Sequence, residues 1–156
     1  MKAETNRELQ RNLMMFYTGE VRNAKEILSE QTENSKKNNN TGNLMQLCRL
    51  AETMKEELEN GNVSAIGDIL DESWQLKKTL ASGISSNRLD DIYCSALRNG
   101  ATGGKLLGAG GAGFFLFYCE SENQPRLRKA LKLRELPFSF ENDGTSIVFI
   151  GDKYWD

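Results

Sequence analysis

The sequence predicts an α+β fold, a mostly antiparallel sheet of four to five strands backed by helices, and three observations carry that reading. Short, almost unbroken apolar runs at Leu13–Tyr17 and Phe114–Cys119 have the length and the bounding turn residues of buried strands. Between them lie stretches whose apolar residues recur every three or four positions, the period of an amphipathic helix. Near the C-terminus the pattern alternates over 138–140, and Asn142-Asp143-Gly144 signals a hairpin turn before a closing strand at 146–150. Helices and strands fall in separate blocks, as in layered α+β domains.

The elements follow in order. Thr5-x-x-Glu8 has capping-box spacing, so a short helix precedes the first strand. Thr18-Gly19 stops that strand, and Ala24, Ile27 and Leu28 share one side of a helix starting near Glu20. The segment 31–42 contains no apolar residue and reads as a polar, mobile loop inside a single domain spanning 1–156. Three apolar stripes follow. The first runs from Leu44 to Leu58, with Asn43 as N-cap and Gly61 at its stop; the second runs from Val63 to Leu80. The third runs from Leu89 to Leu97, with Asn87-x-x-Asp90 before it and Asn99-Gly100 after it. A short strand is expected at 105–107, and a basic amphipathic helix at 125–133, whose charged side reads as a solvated face.

Composition excludes several functions. A net charge of -2 gives no electrostatic reason to expect nucleic acid or an anionic membrane as partner. No apolar run approaches the roughly 18 residues of a membrane span, and the polar N-terminus does not read as a signal peptide. Cys48, Cys94 and Cys119 are odd in number and widely spaced, which suits reduced, partly buried thiols in a cytoplasmic protein. The absence of histidine removes Ser–His and Cys–His catalysis and any histidine metal site. Carboxylate, lysine, backbone-donor and oxygen-bound Mg²⁺ chemistry remain, and phosphoryl transfer fits them.

The chemistry concentrates in ATGGKLLGAGGAGFFLFYC, from Ala101 to Cys119. Consecutive amides in a glycine-rich turn form a concave nest for anions, so this stretch reads either as a phosphate-contacting loop or as a plain hairpin turn. Gly108, Gly110 and Gly113 spell the dinucleotide fingerprint, but a strand follows where that motif needs a helix. Gly104-Lys105 fails as a P-loop, because Asn99 replaces its first glycine and Leu106 its Ser/Thr.

Gly104-Lys105-Leu106, Gly108-Ala109-Gly110-Gly111 and Gly113-Phe114 closely resemble the third motif of the GHMP small-molecule kinases, with Ala112 where a glycine is usual. Phe16-Tyr17-Thr18-Gly19, the run from Asp71 to Lys78, and Ser82-Gly83-Ile84-Ser85 resemble the C-terminal half of the bacterial D-glycero-D-manno-heptose phosphate kinases. The resemblance covers most of the chain from about Leu13. It implies a ferredoxin-like C-terminal domain, with ATP and Mg²⁺ as cofactors held mainly by an N-terminal domain. The family's Pro-x-x-x-Gly-Leu-(Gly/Ser)-Ser-Ser loop has no match in this sequence. The implied reaction moves the ATP γ-phosphoryl group to a hydroxyl of a sugar phosphate, with the N-terminal half in cis or trans and this half inactive alone. A non-catalytic binding or interaction module on the same fold is the alternative.

On that resemblance Gly108, Ala109, Gly110, Gly111 and Gly113 shape the phosphate site, and Lys105 orients the loop or is a solvated strand lysine. Trp74 and Lys77, one helical turn apart with Lys78, face a cleft and contact the sugar or its phosphate, or else form a half-buried tryptophan under lysine stems. Arg22 contacts phosphate or is simply solvated. No catalytic residue and no metal ligand is assigned to this half, and its exposed inter-domain face is expected to drive homodimerisation.

Overall fold

The computed structural model describes residues 1–19, 24–36, 40–141 and 144–146. Ten elements follow in chain order: α1 (Ala3–Asn12), β1 (Leu13–Tyr17), α2 (Ala24–Lys36), α3 (Thr41–Asn60), α4 (Ala65–Lys78), α5 (Asn87–Arg98), β2 (Ala101–Leu106), β3 (Phe114–Cys119), α6 (Gln124–Leu131) and β4 (Arg134–Glu135). The sheet order is β2-β3-β1-β4 and every pairing is antiparallel. From β1 onward this is the βαββαβ order of a ferredoxin-like domain, with α2 to α5 forming an enlarged first crossover.

Register explains how the sheet divides its two faces. Phe16 pairs with Phe115 and Met14 with Phe117, and all four are buried in one cluster with Trp74, Tyr93, Leu89 and Leu127. Their neighbours Met15, Tyr17, Phe114 and Leu116 are only half-buried. A second cluster gathers Leu9, Val63, Ile66, Ile69, Leu70 and Tyr118.

Helix α4 supplies both clusters and therefore has two buried sides. It lies so close to β2 that a Cβ on Gly103 would sit 1.9 Å from the Gly67 carbonyl oxygen. A Cβ on Gly67 would in turn meet Thr102 Oγ1 at 1.9 Å. Glycine at 103 is thus a requirement of backbone contact, and glycine at 67 leaves room for the Thr102 side chain. This overturns part of the sequence reading, since Gly103-Gly104 forms strand rather than turn, and β2 starts at Ala101 instead of residue 105.

Other boundaries move for identifiable reasons. The expected polar loop at 31–42 is mostly helix: α2 runs to Lys36 and α3 begins at Thr41 after Asn40. Its inward contacts are polar, because Asn34 Nδ2 and Asn40 Nδ2 each donate to the Leu80 carbonyl at 3.0 Å. The first helix starts at Ala3, before the expected Thr5 cap, and Thr5 is buried within it. Ser86, not Asn87, caps α5, its side chain accepting from the Leu89 amide. Gly61 stops α3 in the left-handed region at φ 82°, as read.

The fourth strand is Arg134–Glu135, and 138–140 forms none. Its backbone bonds instead to the Gln10 amide, which donates to the Phe138 carbonyl and accepts from the Phe140 amide, both at 2.8 Å. One side chain thus replaces a neighbouring strand. Residues 147–150 of the strand expected at 146–150, and positions 142–143 of the turn before it, lie outside the described residues. Cys119 is buried, its thiol pushed up to about 11 mainly by desolvation, while Cys48 and Cys94 are exposed rather than partly buried. Among the described residues, no helix is long and apolar enough to cross a membrane.

Candidate functional site: the glycine loop and its lysines

The turn between β2 and β3 spans 107–113. Gly108, Gly110, Gly111 and Gly113 all have positive φ, between 75° and 113°, whereas Ala109 and Ala112 do not. The alanine that departs from the resemblance is therefore accommodated without strain.

Three anchors hold the loop. At its start, Lys77 Nζ donates to the carbonyls of Leu106 at 3.1 Å and Gly108 at 2.5 Å. In the middle, the Gly111 amide donates to the Ile84 carbonyl at 2.8 Å, and Gly110 lies so near that a Cβ there would meet Ile84 Cα at 2.9 Å. At its end, the Thr18 amide and hydroxyl both donate to the Gly113 carbonyl at 2.9 Å, and the Gly113 amide is 3.2 Å from Thr18 Oγ1. The turn 82–84 is itself fixed, since Ser82 donates from its amide and its hydroxyl to Glu30.

This geometry divides the loop amides. Those of Gly111 and Gly113 are spent inside the protein, whereas those of Gly108, Ala109, Gly110 and Ala112 have no protein acceptor among the described residues, Gly110 being buried against Ile84. Gly108 is exposed, and nothing lies within 4 Å of where its Cβ would be. Chemically, such a turn can present backbone donors to an anion.

The lysines exchange their expected parts. Lys77, not Lys105, holds the loop. Lys105 Nζ donates to Ser73 Oγ on α4 at 3.1 Å. Both ammonium groups are half-buried, and no carboxylate among the described residues pairs with either. Burial, with the like charge of Lys105 as a second cause, lowers the Lys77 pKa to about 8; burial lowers that of Lys105 too.

Trp74 is not beside Lys77 in a cleft. It has no exposed surface, packs edge-on to Phe115 at 5.7 Å, and leaves its indole N–H without a partner. In this conformation it touches no solvent-borne ligand. Lys78 Nζ lies over the Trp74 ring, 5.9 Å from its centroid, and pairs with Asp90 at 3.4 Å, so the tryptophan is covered by a lysine as in the alternative reading, though fully rather than half buried. The structure therefore brings together Lys77 and the loop glycines, sets Lys105 against Ser73 in a cavity that Lys77 also lines, and puts Trp74 in the core. Arg22 lies outside the described residues. Sequence reasoning missed Thr18 as the loop's far anchor and Arg88, whose Nη2 donates to the Thr18 carbonyl at 2.8 Å. The available signal is the Thr18-Gly19 pair, which reads as a strand stop and as part of the Phe16–Gly19 word that resembles the heptose phosphate kinases.

Comparison with known proteins agrees with this architecture. Residues 54–135 match the sequence family described as GHMP kinases C terminal. A D-glycero-alpha-D-manno-heptose 7-phosphate kinase from Campylobacter jejuni is 30% identical over 140 residues, covering 88% of this chain but only 41% of that protein. The structure of a D-glycero-D-manno-heptose 1-phosphate kinase from Bacteroides thetaiotaomicron superposes with a TM-score of 0.58 at 23% identity, covering 90% of this chain and 36% of that one. L. major mevalonate kinase gives a TM-score of 0.67 at 20% identity, over 77% and 37% of the two chains. At such identities the two structures establish fold alone. The chain spans less than half the length of each of these proteins.

Proposed function

The chain belongs to the GHMP kinase C-terminal family, and from that premise we propose that it is the C-terminal domain of an ATP-dependent sugar kinase acting on a heptose phosphate. Its partner is an N-terminal ATP-loop domain, in cis or in trans, that corresponds to the remaining length of the relatives. The observation that carries the reading is the three-point anchorage of the glycine loop, which leaves the amides of Gly108, Ala109 and Gly110 for a ligand.

In this reading the loop forms one wall of a phosphate site. Phosphoryl transfer asks the protein chiefly for positioning and charge stabilisation. The Gly108, Ala109 and Gly110 amides meet a phosphate oxygen, Gly111 and Gly113 lock the turn, and Lys77 sets the direction of its opening carbonyls. Lys105 supports α4 behind the loop through Ser73, and Arg22 is the candidate for contact with the sugar phosphate. ATP supplies the transferred group when bound. Mg²⁺ is assigned mainly to the partner domain, as the family resemblance implies, and the described residues hold no group of three or more His, Cys, Asp or Glu side chains able to bind a metal. Acidic residues for the metal and the attacking hydroxyl belong to the partner domain.

The chain alone is expected to show no turnover and only weak nucleotide binding. About three amide donors, each contributing roughly 1–1.5 kcal/mol, support a Kd on the order of 1 mM. The test is phosphorylation of a heptose phosphate by purified 1–156, with and without the N-terminal half of the Campylobacter jejuni relative. Turnover that needs the added half supports the reading; turnover by 1–156 alone refutes it. Light scattering on the same preparations tests the homodimer, which a concentration-independent monomer would eliminate.

A further inference from the structure

A cavity of about 360 Å³ lies between α3, α4 and β2, with Gln31 of α2 and Leu80 at its border. One wall is apolar: Leu47, Leu50 and Met54 come from α3 and Ile69 from α4. The other carries Ser73, Lys77 and Lys105. Its size is at the lower end of ligand pockets, which run from roughly 300 to 1,000 Å³. Helix α3, the longest in the molecule, has no fully buried residue, so its apolar stripe is only partly covered.

The electrostatics of this cavity are unbalanced. Two ammonium groups share it, both desolvated, and no carboxylate among the described residues compensates either. Lys77 spends two of its three N–H donors on the carbonyls of Leu106 and Gly108. Lys105 spends one on Ser73. Three charged donors remain on the wall opposite the apolar one, an arrangement complementary to a negative head with a hydrocarbon tail.

We propose that this cavity is a second ligand site, which takes a single-chain amphiphile with a carboxylate or phosphate head. The head lies against Lys77 and Lys105, and the tail runs along Leu47, Leu50 and Met54. Because Lys77 also holds the start of the glycine loop, an occupant is felt at Gly108. A fixed anion beside Lys77 raises its affinity for a proton and so keeps the loop anchored at pH values where the empty protein loses that charge. This site needs neither ATP nor a sugar phosphate and stands whether or not the kinase reading does.

The test is calorimetric titration of the 156-residue chain at pH 8 with decanoate, decyl phosphate, their eight-carbon homologues, and 1-decanol as the neutral control. Saturable one-to-one binding is expected for at least one ten-carbon anion, and whichever head binds identifies the group recognised. The ten-carbon anion should bind about tenfold tighter than its eight-carbon homologue, from two more buried methylenes, and tighter than decanol by a similar factor. Binding should take up protons, seen as a heat that depends on the buffer. Lys105→Met should weaken anion binding at least tenfold, and Leu47→Trp should block it by filling the slot. Melting curves show which of these variants are folded, and either one folded suffices. No saturable binding by any anion, equal affinity for decanol, or undiminished anion binding in a folded Lys105→Met would overturn the proposal.

Discussion

Two sets of glycines, Gly103-Gly104 in β2 and those of the turn 108–113, do opposite work in this molecule. At Gly103, with its counterpart Gly67 on α4, there is no room for a methyl group, and the residue is needed because two backbones touch. At Gly108 there is nothing within 4 Å, and the residue is needed because the chain turns through positive φ in open space. The first is a seam of the fold and the second a surface offered to a ligand. Residue type does not distinguish them; what a Cβ would meet does.

Substitution breaks the comparison open most forcefully at the seam. Gly103→Ala forces α4 away from β2, because the obstruction is a backbone oxygen that cannot rotate aside. A cost of about 3 kcal/mol or more is expected, lowering the melting temperature by about 10 °C in a chain of this size. Thermal unfolding followed by circular dichroism measures it, and a shift below about 2 °C would mean that the seam is not packed as described.

Gly110 lies between the extremes, with positive φ and Ile84 Cα near its would-be Cβ. Gly110→Ala should cost about 2 kcal/mol, the sum of left-handed strain and a displaced Ile84 turn. Gly108→Ala should cost about 1 kcal/mol, from backbone conformation alone, and leave the fold intact. Denaturant unfolding of both variants ranks them; a costlier Gly108→Ala would invert the distinction between packed and open glycines.

A pH-dependent effect concerns the anchor. Lys77 titrates near 8 in the folded protein, against an ordinary 10.5. Its burial therefore costs stability in full below pH 8. Between pH 8 and 10.5 the unfolded chain binds more protons than the folded one, so stability should rise with pH through that window. Lys105, lowered in the same direction, adds to the trend. In Lys77→Met the slope should shrink, and amide exchange at Gly111 should quicken as the loop loosens. An unchanged slope would show that Lys77 is not desolvated where it meets the loop.

The seam and the loop also mark how far the sequence could be read. β1 and β3 were legible because their apolar runs are uninterrupted, and α3 to α5 because their stripes keep a helical period. The kinase-like glycine loop was legible because its spacing is distinctive. β2 was shortened in the reading because Gly103 and Gly104 look like turn residues until α4 is seen lying on them. α2 is cut short in the sequence pattern because Glu30 and Asn34 bond Ser82 and Leu80 in the turn after α4, and a helix whose contacts on that side are polar shows no apolar stripe. Trp74 and Lys77 were assigned one cleft because residues three apart share a helix face. A helix with two buried sides sends them apart, Trp74 to Phe115 and Lys77 to the loop. Thr18 and Arg88 became visible only through contacts spanning 95 and 70 residues.

The claim that the open half of this comparison is a phosphate-facing wall is tested most directly by amide-resolved NMR of the 156-residue chain titrated with tripolyphosphate. The account predicts saturable shifts at the amides of Gly108, Ala109 and Gly110, with Gly111 and Gly113 moving much less because their N–H groups already donate to Ile84 and Thr18. Shifts confined to the basic face of α6, or none at the loop, would contradict it.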